Sequence, residues 1–357
     1  MYISNIDTLQ FSLDFLNYNN IIATFSSELE TKKCLAQIYR SDYKSDKVLF
    51  ELNDFVFEIL PNGSKGYSYI LHNNDYEIDF ASVRSVNISN YPVFIKIKQS
   101  SLWALGVKKS YSKILNWISG VFGKPIGEKI NRADLCCHTD NINFSSFDYN
   151  YFKTRATKKN TRICGSIING FEFGVRKGLI FCRIYNKSLE IKEKRNKCWF
   201  LDIWKSYNAD ITNVWNVEFE LKRNFLREYG IETVKDLLEK SKAIWEYLTQ
   251  QWLVLTQNNR SRLENSTVLS EWKILSNCFM DMGSKSFVRK SSQLQADKNS
   301  IVAQVCGYIK SYAAIENIYD LQSALELLYA DLTIYMNKTN KKFEKLVFEK
   351  ASLYQEG

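Results

Sequence analysis

Trp215-Asn216-Val217-Glu218-Phe219-Glu220-Leu221-Lys222 alternates polar and apolar residues from Asn216 onward. Successive side chains of a β-strand point to opposite faces, so this period of two predicts a strand with one apolar and one polar face. Three earlier runs carry the same signal. They are Ile130-Asn131-Arg132-Ala133-Asp134-Leu135-Cys136-Cys137-His138, residues 161–167 and residues 179–185. The stretch from Gly170 to Gly178 reads as the hairpin region between the last two.

Outward from this block, residues 1–108 read mainly as strands, at 8–13, 48–52, 55–59, 67–71 and 93–98. Helical spacing marks 24–41 and 109–122, and the pattern turns helical again from residue 224. Ile244, Leu248, Trp252 and Leu255 predict a helix over 240–256, and the tail from about 259 is helical with a polar link near 283–299. The expected class is α+β: an antiparallel sheet core with helices packed on it and a helical C-terminal region. The order strand, helix, strands recurs in both halves, which leaves two related half-sheets open. Expected divisions are a strand-rich region 1–125, a catalytic region 126–258 and a helical region 259–357. In the last of these, Leu321, Leu325, Leu328, Leu332 and Tyr335 suit an internal core face better than a seam between subunits.

Composition narrows the class. Apolar residues make up 45% and charged residues 24%, as in an ordinary globular protein. No apolar run approaches membrane-spanning length and the first residues lack a signal-peptide pattern, so a cytoplasmic location is expected. The eight cysteines contain no C-x-x-C pair and read as reduced, buried thiols. There is no P-loop and no G-x-G-x-x-G, and the two histidines, His72 and His138, exclude a closely spaced two-histidine metal motif. The net charge of +9 is concentrated. Residues 152–197 hold thirteen Lys/Arg against three Glu, while residues 1–90 hold seven basic and twelve acidic groups. A basic segment of this kind suits a phosphate backbone, and a solvated Lys-rich loop is the plainer alternative.

Strand parity then groups the polar residues. Asp134, Cys136 and His138 share one face, Glu218 and Glu220 another, and Arg183, Tyr185 and Lys187 a third. If these strands are neighbours, carboxylates, cations and a phenol meet on one wet surface. Such oxygen ligands suit Mg²⁺ or Mn²⁺, and the cations would favour a phenolate. Plainer readings stay open for each: a solvated strand face for Glu218 and Glu220, a structural ion pair for Asp134, a hydrogen-bonded His138, and a core or surface Tyr185.

The runs Arg132-Ala133-Asp134-Leu135-Cys136-Cys137-His138, Gly165-Ser166-Ile167, Phe181–Glu190 and Val214–Arg223 together resemble the replication initiation factor (Rep_trans) family. That family contains rolling-circle plasmid initiators and relaxases of integrative and conjugative elements. The resemblance spans roughly residues 90–255. It implies cutting of one DNA strand by a tyrosine that becomes linked to the 5′ phosphate, with Tyr185 in that role and Arg183 and Lys187 beside it. It also implies Mg²⁺ or Mn²⁺ at Asp134, Glu218 and Glu220, with His138 where the family often has Asp, and Asn216 where it often has Arg. The implied partners are single-stranded or cruciform origin DNA and a host helicase, with a homodimer open.

On this reading Arg155, Lys158, Lys159, Arg162, Arg176 and Lys177 grip the DNA backbone, Phe171, Phe173 and Tyr151 stack on bases, and Tyr149 and Tyr151 are fallback nucleophiles. The rival readings are a non-catalytic DNA-binding protein of a mobile element and a metal-dependent nuclease that uses activated water.

Overall fold

Two strands of thirteen residues each, β1 (Tyr2–Asp14) and β7 (Gly127–Thr139), lie antiparallel at the middle of one sheet in the computed structural model. The structure describes residues 1–41, 47–53, 55–64, 66–84, 91–194, 196–258, 266–279, 298–339 and 342–348. After β1 come α1 (Tyr18–Ser41), β2 (Leu49–Leu52), β3 (Phe55–Ile59), β4 (Tyr69–His72), β5 (Tyr76–Phe80), β6 (Val93–Ile97), α2 (Gln99–Ala104) and α3 (Val107–Phe122). After β7 come β8 (Phe152–Thr154), β9 (Lys159–Cys164), β10 (Ile167–Gly174), β11 (Ile180–Asn186), α4 (Lys187–Lys194), α5 (Trp199–Ser206) and β12 (Trp215–Lys222). Then follow α6 (Arg223–Glu228), α7 (Val234–Tyr247), β13 (Leu253–Leu255) and α8 (Ser270–Asn277).

Eleven strands form one antiparallel sheet in the order β2-β3-β4-β5-β6-β1-β7-β12-β11-β10-β9, and β13 pairs with β8 in a small second sheet. The wiring repeats. In each half a long first strand pairs with the last strand of that half, β1 with β6 and β7 with β12, and the two first strands join the halves. The fold is therefore α+β with an antiparallel sheet core, as the strand and helix patterns predict, and its repeated wiring is the two-half arrangement that those patterns left open.

The apolar face of the second half-sheet is closed by aromatic rings. Phe219 meets Trp245 of α7 and Trp252, while Phe171 and Phe173 of β10 pack on Phe152 with ring centres 4.9 and 5.0 Å away. Burial of large side chains of this kind contributes about 1.5–3 kcal/mol each and holds the opposite, polar face rigid. It also removes two expected base-stacking residues. Phe171 and Phe173 are buried, because the parity that puts Glu172 on the polar face turns both of them inward.

The sequence reading misses β5, β8, β10, α2, α4 and α5, reads the end of β10 (Gly170–Gly174) as part of a hairpin, and misplaces the end of a helix. The expected helix over 240–256 stops at Tyr247 and continues as a π-helical turn, Leu248–Trp252. Leu253-Val254-Leu255 then leaves as β13, because pairing with Phe152–Thr154 buries all three residues. The cysteines are free, but Cys34, Cys164, Cys198 and Cys306 are exposed instead of buried. Among the described residues no helix is long and apolar enough to cross a membrane.

The described residues of 196–207, 298–339 and 342–348 form a second compact unit containing α5, α9 (Lys298–Ile315) and α10 (Leu321–Lys338). Phe200 and Trp204 are fully buried in α5. On α10 the expected core face is not realised. Among the described residues of α10 Ala324 is buried and Leu328 half-buried, while Leu321, Leu325, Leu332 and Tyr335 are exposed. The polar link near 283–299 lies outside the described residues up to 297.

Candidate active site

β7, β12 and β11 are adjacent, so the three polar faces predicted from parity form one surface. Register fixes the rows: Tyr185 is opposite Asn216 and Asn216 opposite His138, then Arg183 opposite Glu218 and Glu218 opposite Cys136, then Glu220 opposite Asp134. Directly opposed residues on one face stand about 5 Å apart at Cβ, within side-chain reach.

Tyr185 is the best-connected phenol on this surface. Its hydroxyl donates to Glu218 Oε2 at 3.2 Å and accepts from Lys187 Nζ and Asn216 Nδ2, each at 3.1 Å. Lys187 opens α4 just past the end of β11 and is almost fully buried, its charge matched by Glu190 at 2.6 Å. Against the effect of burial, Lys187 and Lys194 pull the Glu190 carboxyl down to about 2. Burial, then the negative charges of Glu218, Asp7 and Glu190, push the Tyr185 phenol well above its ordinary value. The resting tyrosine is thus protonated and aimed at a carboxylate. Gly170 faces Tyr185 from β10, and a Cβ there would come within 2.9 Å of the Ile184 carbonyl oxygen.

The carboxylates are engaged by cations. Asp134 takes two hydrogen bonds from Arg132, at 2.7 and 2.6 Å. Glu220 binds Arg132 at 2.7 Å and Lys222 at 2.8 Å, and Glu218 pairs with Arg183. Burial, with the charges of Glu218 and Glu220, raises the Asp134 carboxyl against the pull of Arg132.

His138 lies elsewhere on the surface, with Asp7 and Cys136, and these three form the one group of potential metal ligands whose donor atoms converge among the described residues. A set of one oxygen, one sulfur and one nitrogen does not fit Mg²⁺ or Mn²⁺, which take oxygen ligands.

Two comparisons with known proteins, by family model and by curated sequence, give no match. Among solved structures the chain is similar to the rolling circle replication initiator protein from Geobacillus stearothermophilus. The two share 14% sequence identity with a TM-score of 0.45, over 79% of this chain and 98% of that one.

The six basic residues expected to hold DNA, Arg155, Lys158, Lys159, Arg162, Arg176 and Lys177, are arrayed on and around β9 and the β10–β11 turn, at the protein surface. This is the edge of the sheet on the Tyr185 side, two strands away from β11. Arg162 is paired with Glu172, and Arg155 and Arg176 lie over the rings of Tyr247 and Phe181. Tyr149 and Tyr151 sit in a 3₁₀ turn before β8, without the carboxylate and ammonium contacts that surround Tyr185. Asp140 accepts from the Asp210 backbone N–H at 2.8 Å.

Asp7 and Asn216 are the residues that sequence reasoning underrates. Asp7 carries no local signal, because it is one of five polar residues, with Ser4, Asn5, Thr8 and Gln10, between Ile3 and Phe11. Asn216 stands out in the sequence as a departure from the family pattern, and its amide in the structure bridges Tyr185 and Glu218.

Proposed function

We propose that this chain nicks and rejoins single DNA strands through Tyr185, as initiators of rolling-circle replication or conjugative transfer do. The observation that carries the reading is the hydrogen-bond set on the phenol: Glu218 as acceptor, Lys187 and Asn216 as donors, all within 3.2 Å.

In the forward step the phenolic proton passes to Glu218 and the phenolate oxygen attacks the scissile phosphorus in line. The bond from phosphorus to the 3′ oxygen breaks, leaving a 5′-phosphotyrosine and a free 3′ hydroxyl whose proton comes from solvent. Lys187 and Arg183 face the negative charge that builds on the phosphoryl oxygens. Rejoining runs the same path in reverse, with the 3′ oxygen as nucleophile and Tyr185 as leaving group. The basic edge of β9 and the β10–β11 turn holds the strand, the plainest use of a localised positive surface beside a nucleophile. No step here is routed through Mg²⁺ or Mn²⁺, because the carboxylates expected to hold them are bound to Arg132, Arg183 and Lys222.

The test is a denaturing gel of the protein with a labelled single-stranded origin oligonucleotide. Wild type yields a covalent adduct with the 5′ phosphate of the fragment downstream of the nick. Tyr185→Phe yields no adduct and binds the oligonucleotide with nearly unchanged affinity. Strand cleavage without any adduct in wild type would instead favour a nuclease that uses activated water, and binding without cleavage a non-catalytic DNA-binding protein.

A further inference from the structure

We propose that Asp7, Cys136 and His138 form a binding site for a borderline-soft divalent cation of the zinc class. All three side chains are buried, and their donor atoms lie within 4.8 Å of one another. Bond lengths of about 2.0–2.3 Å to a tetrahedral ion place such donors roughly 3.3–3.8 Å apart, so small rotations close the site.

Its construction follows from strand geometry. Cys136 and His138 alternate along β7 and so share a face. Asp7 reaches the same place because β1 carries a bulge between Ile6 and Thr8, leaving it the extra residue opposite Leu135 and Asp134. β6 ends level with Leu9, and α2 packs beside the first half of β1. From α2 the Trp103 indole N–H and the Gln99 amide, the latter at 2.6 Å, both donate to Asp7. The Trp103 ring stacks on His138 with centres 4.7 Å apart and planes 17° from parallel. Outer contacts of this type fix the orientation of metal ligands. A further donor stands across the strand pair. Asn216, opposite His138, has a buried side-chain oxygen with no hydrogen-bond partner among the described residues.

Donor chemistry selects the ion. Thiolate and imidazole favour Zn²⁺ and its neighbours over Mg²⁺. Cys136 donates its S–H to Asp7 Oδ1 at 3.2 Å. Ion entry replaces that bond with a sulfur–metal bond while the thiol proton leaves to solvent. Asp7, Cys136 and His138 supply three ligands, and the fourth position falls to the Asn216 oxygen or to an exchangeable ligand such as water. A role for that position in nicking rests on the Tyr185 reading, whereas binding of the ion does not.

The test uses the full chain with exposed Cys34, Cys164, Cys198 and Cys306 changed to serine, stripped with chelator and titrated with Co²⁺. The expected spectrum shows tetrahedral visible bands and a thiolate-to-cobalt charge-transfer band, abolished by Zn²⁺ and unaffected by a large excess of Mg²⁺. Cys136→Ser loses the charge-transfer band, and Asp7→Asn and His138→Gln each weaken binding roughly tenfold or more. The spectrum of the unmutated site decides the question even if a variant misfolds. No charge-transfer band, a band that survives in Cys136→Ser, or displacement by Mg²⁺ overturns the proposal. Tyr185→Phe retains the full cobalt spectrum, so failure of the nicking reading and failure of the metal site give different results.

Discussion

Glu218 carries three jobs at once. It pairs with Arg183, accepts the Tyr185 hydroxyl and accepts from Asn216, while burial removes the water that would otherwise serve. In the proposed mechanism only the second of these contacts moves a proton. Glu218→Gln keeps the shape and most of the contacts but removes the acceptor charge, so adduct formation should fall by roughly 10²–10⁴. The same change removes the largest electrostatic influence holding the Tyr185 phenol up after burial itself. Its titration, followed by NMR of ring-labelled tyrosine, should therefore move to lower pH in the variant. Near-normal adduct formation by Glu218→Gln would remove this residue from the mechanism, and an unmoved phenol titration would show that its charge does not reach Tyr185.

At the scale of strands, burial of one carboxylate leaves a pH signature. Asp79 of β5 is buried, with a hydrogen bond from Ser64 at 2.9 Å, and burial pushes its carboxyl up to about 6 from 3.8. The fold therefore holds this proton more tightly than the unfolded chain does, and stability contributed by the protonated group drains away as pH rises from about 4 through about 6. Asp79→Asn should flatten that part of the stability curve and raise stability at neutral pH by on the order of 2 kcal/mol, measured by urea unfolding at several pH values. An unchanged pH slope would show that Asp79 ionises as freely in the fold as outside it. The strands around it illustrate what a sequence discloses. Regular alternation makes β12 and β11 legible together with their polar faces, so parity alone groups Tyr185 with Arg183 and sets Glu218 on a matching face. The bulge is not legible, because nothing local marks which residue of β1 will be left over when two strands pair. Asp7 is hidden for that reason. The π turn after α7 is hidden for another: Leu248, Trp252 and Leu255 keep helical spacing even where pairing with β8 pulls the chain into a strand.

Charge organises the molecule as a whole. Strands β1 to β5 lie within an acidic stretch, whereas the sheet ends at β9 in a basic edge two strands from β11, the strand of the tyrosine. A DNA strand held by that edge displaces counterions from its phosphates, so affinity should fall steeply with salt. Arg162 is already paired with Glu172 and contributes less than its charge suggests. Replacing Arg155, Lys158, Lys159, Arg176 and Lys177 together by Gln should cut the slope of log affinity against log salt by about 3.5, at about 0.7 for each of five contacts to a single strand. The variant should bind all single-stranded sequences more weakly by a similar factor, because phosphate contacts carry no sequence information. Tyr185→Phe should leave the slope where it is, since a phenol carries no positive charge with which to neutralise a phosphate. A slope that does not change in the five-site variant would mean that DNA lies elsewhere on the chain, and the path from the basic edge to Tyr185 would have to be abandoned even if the tyrosine itself forms the adduct.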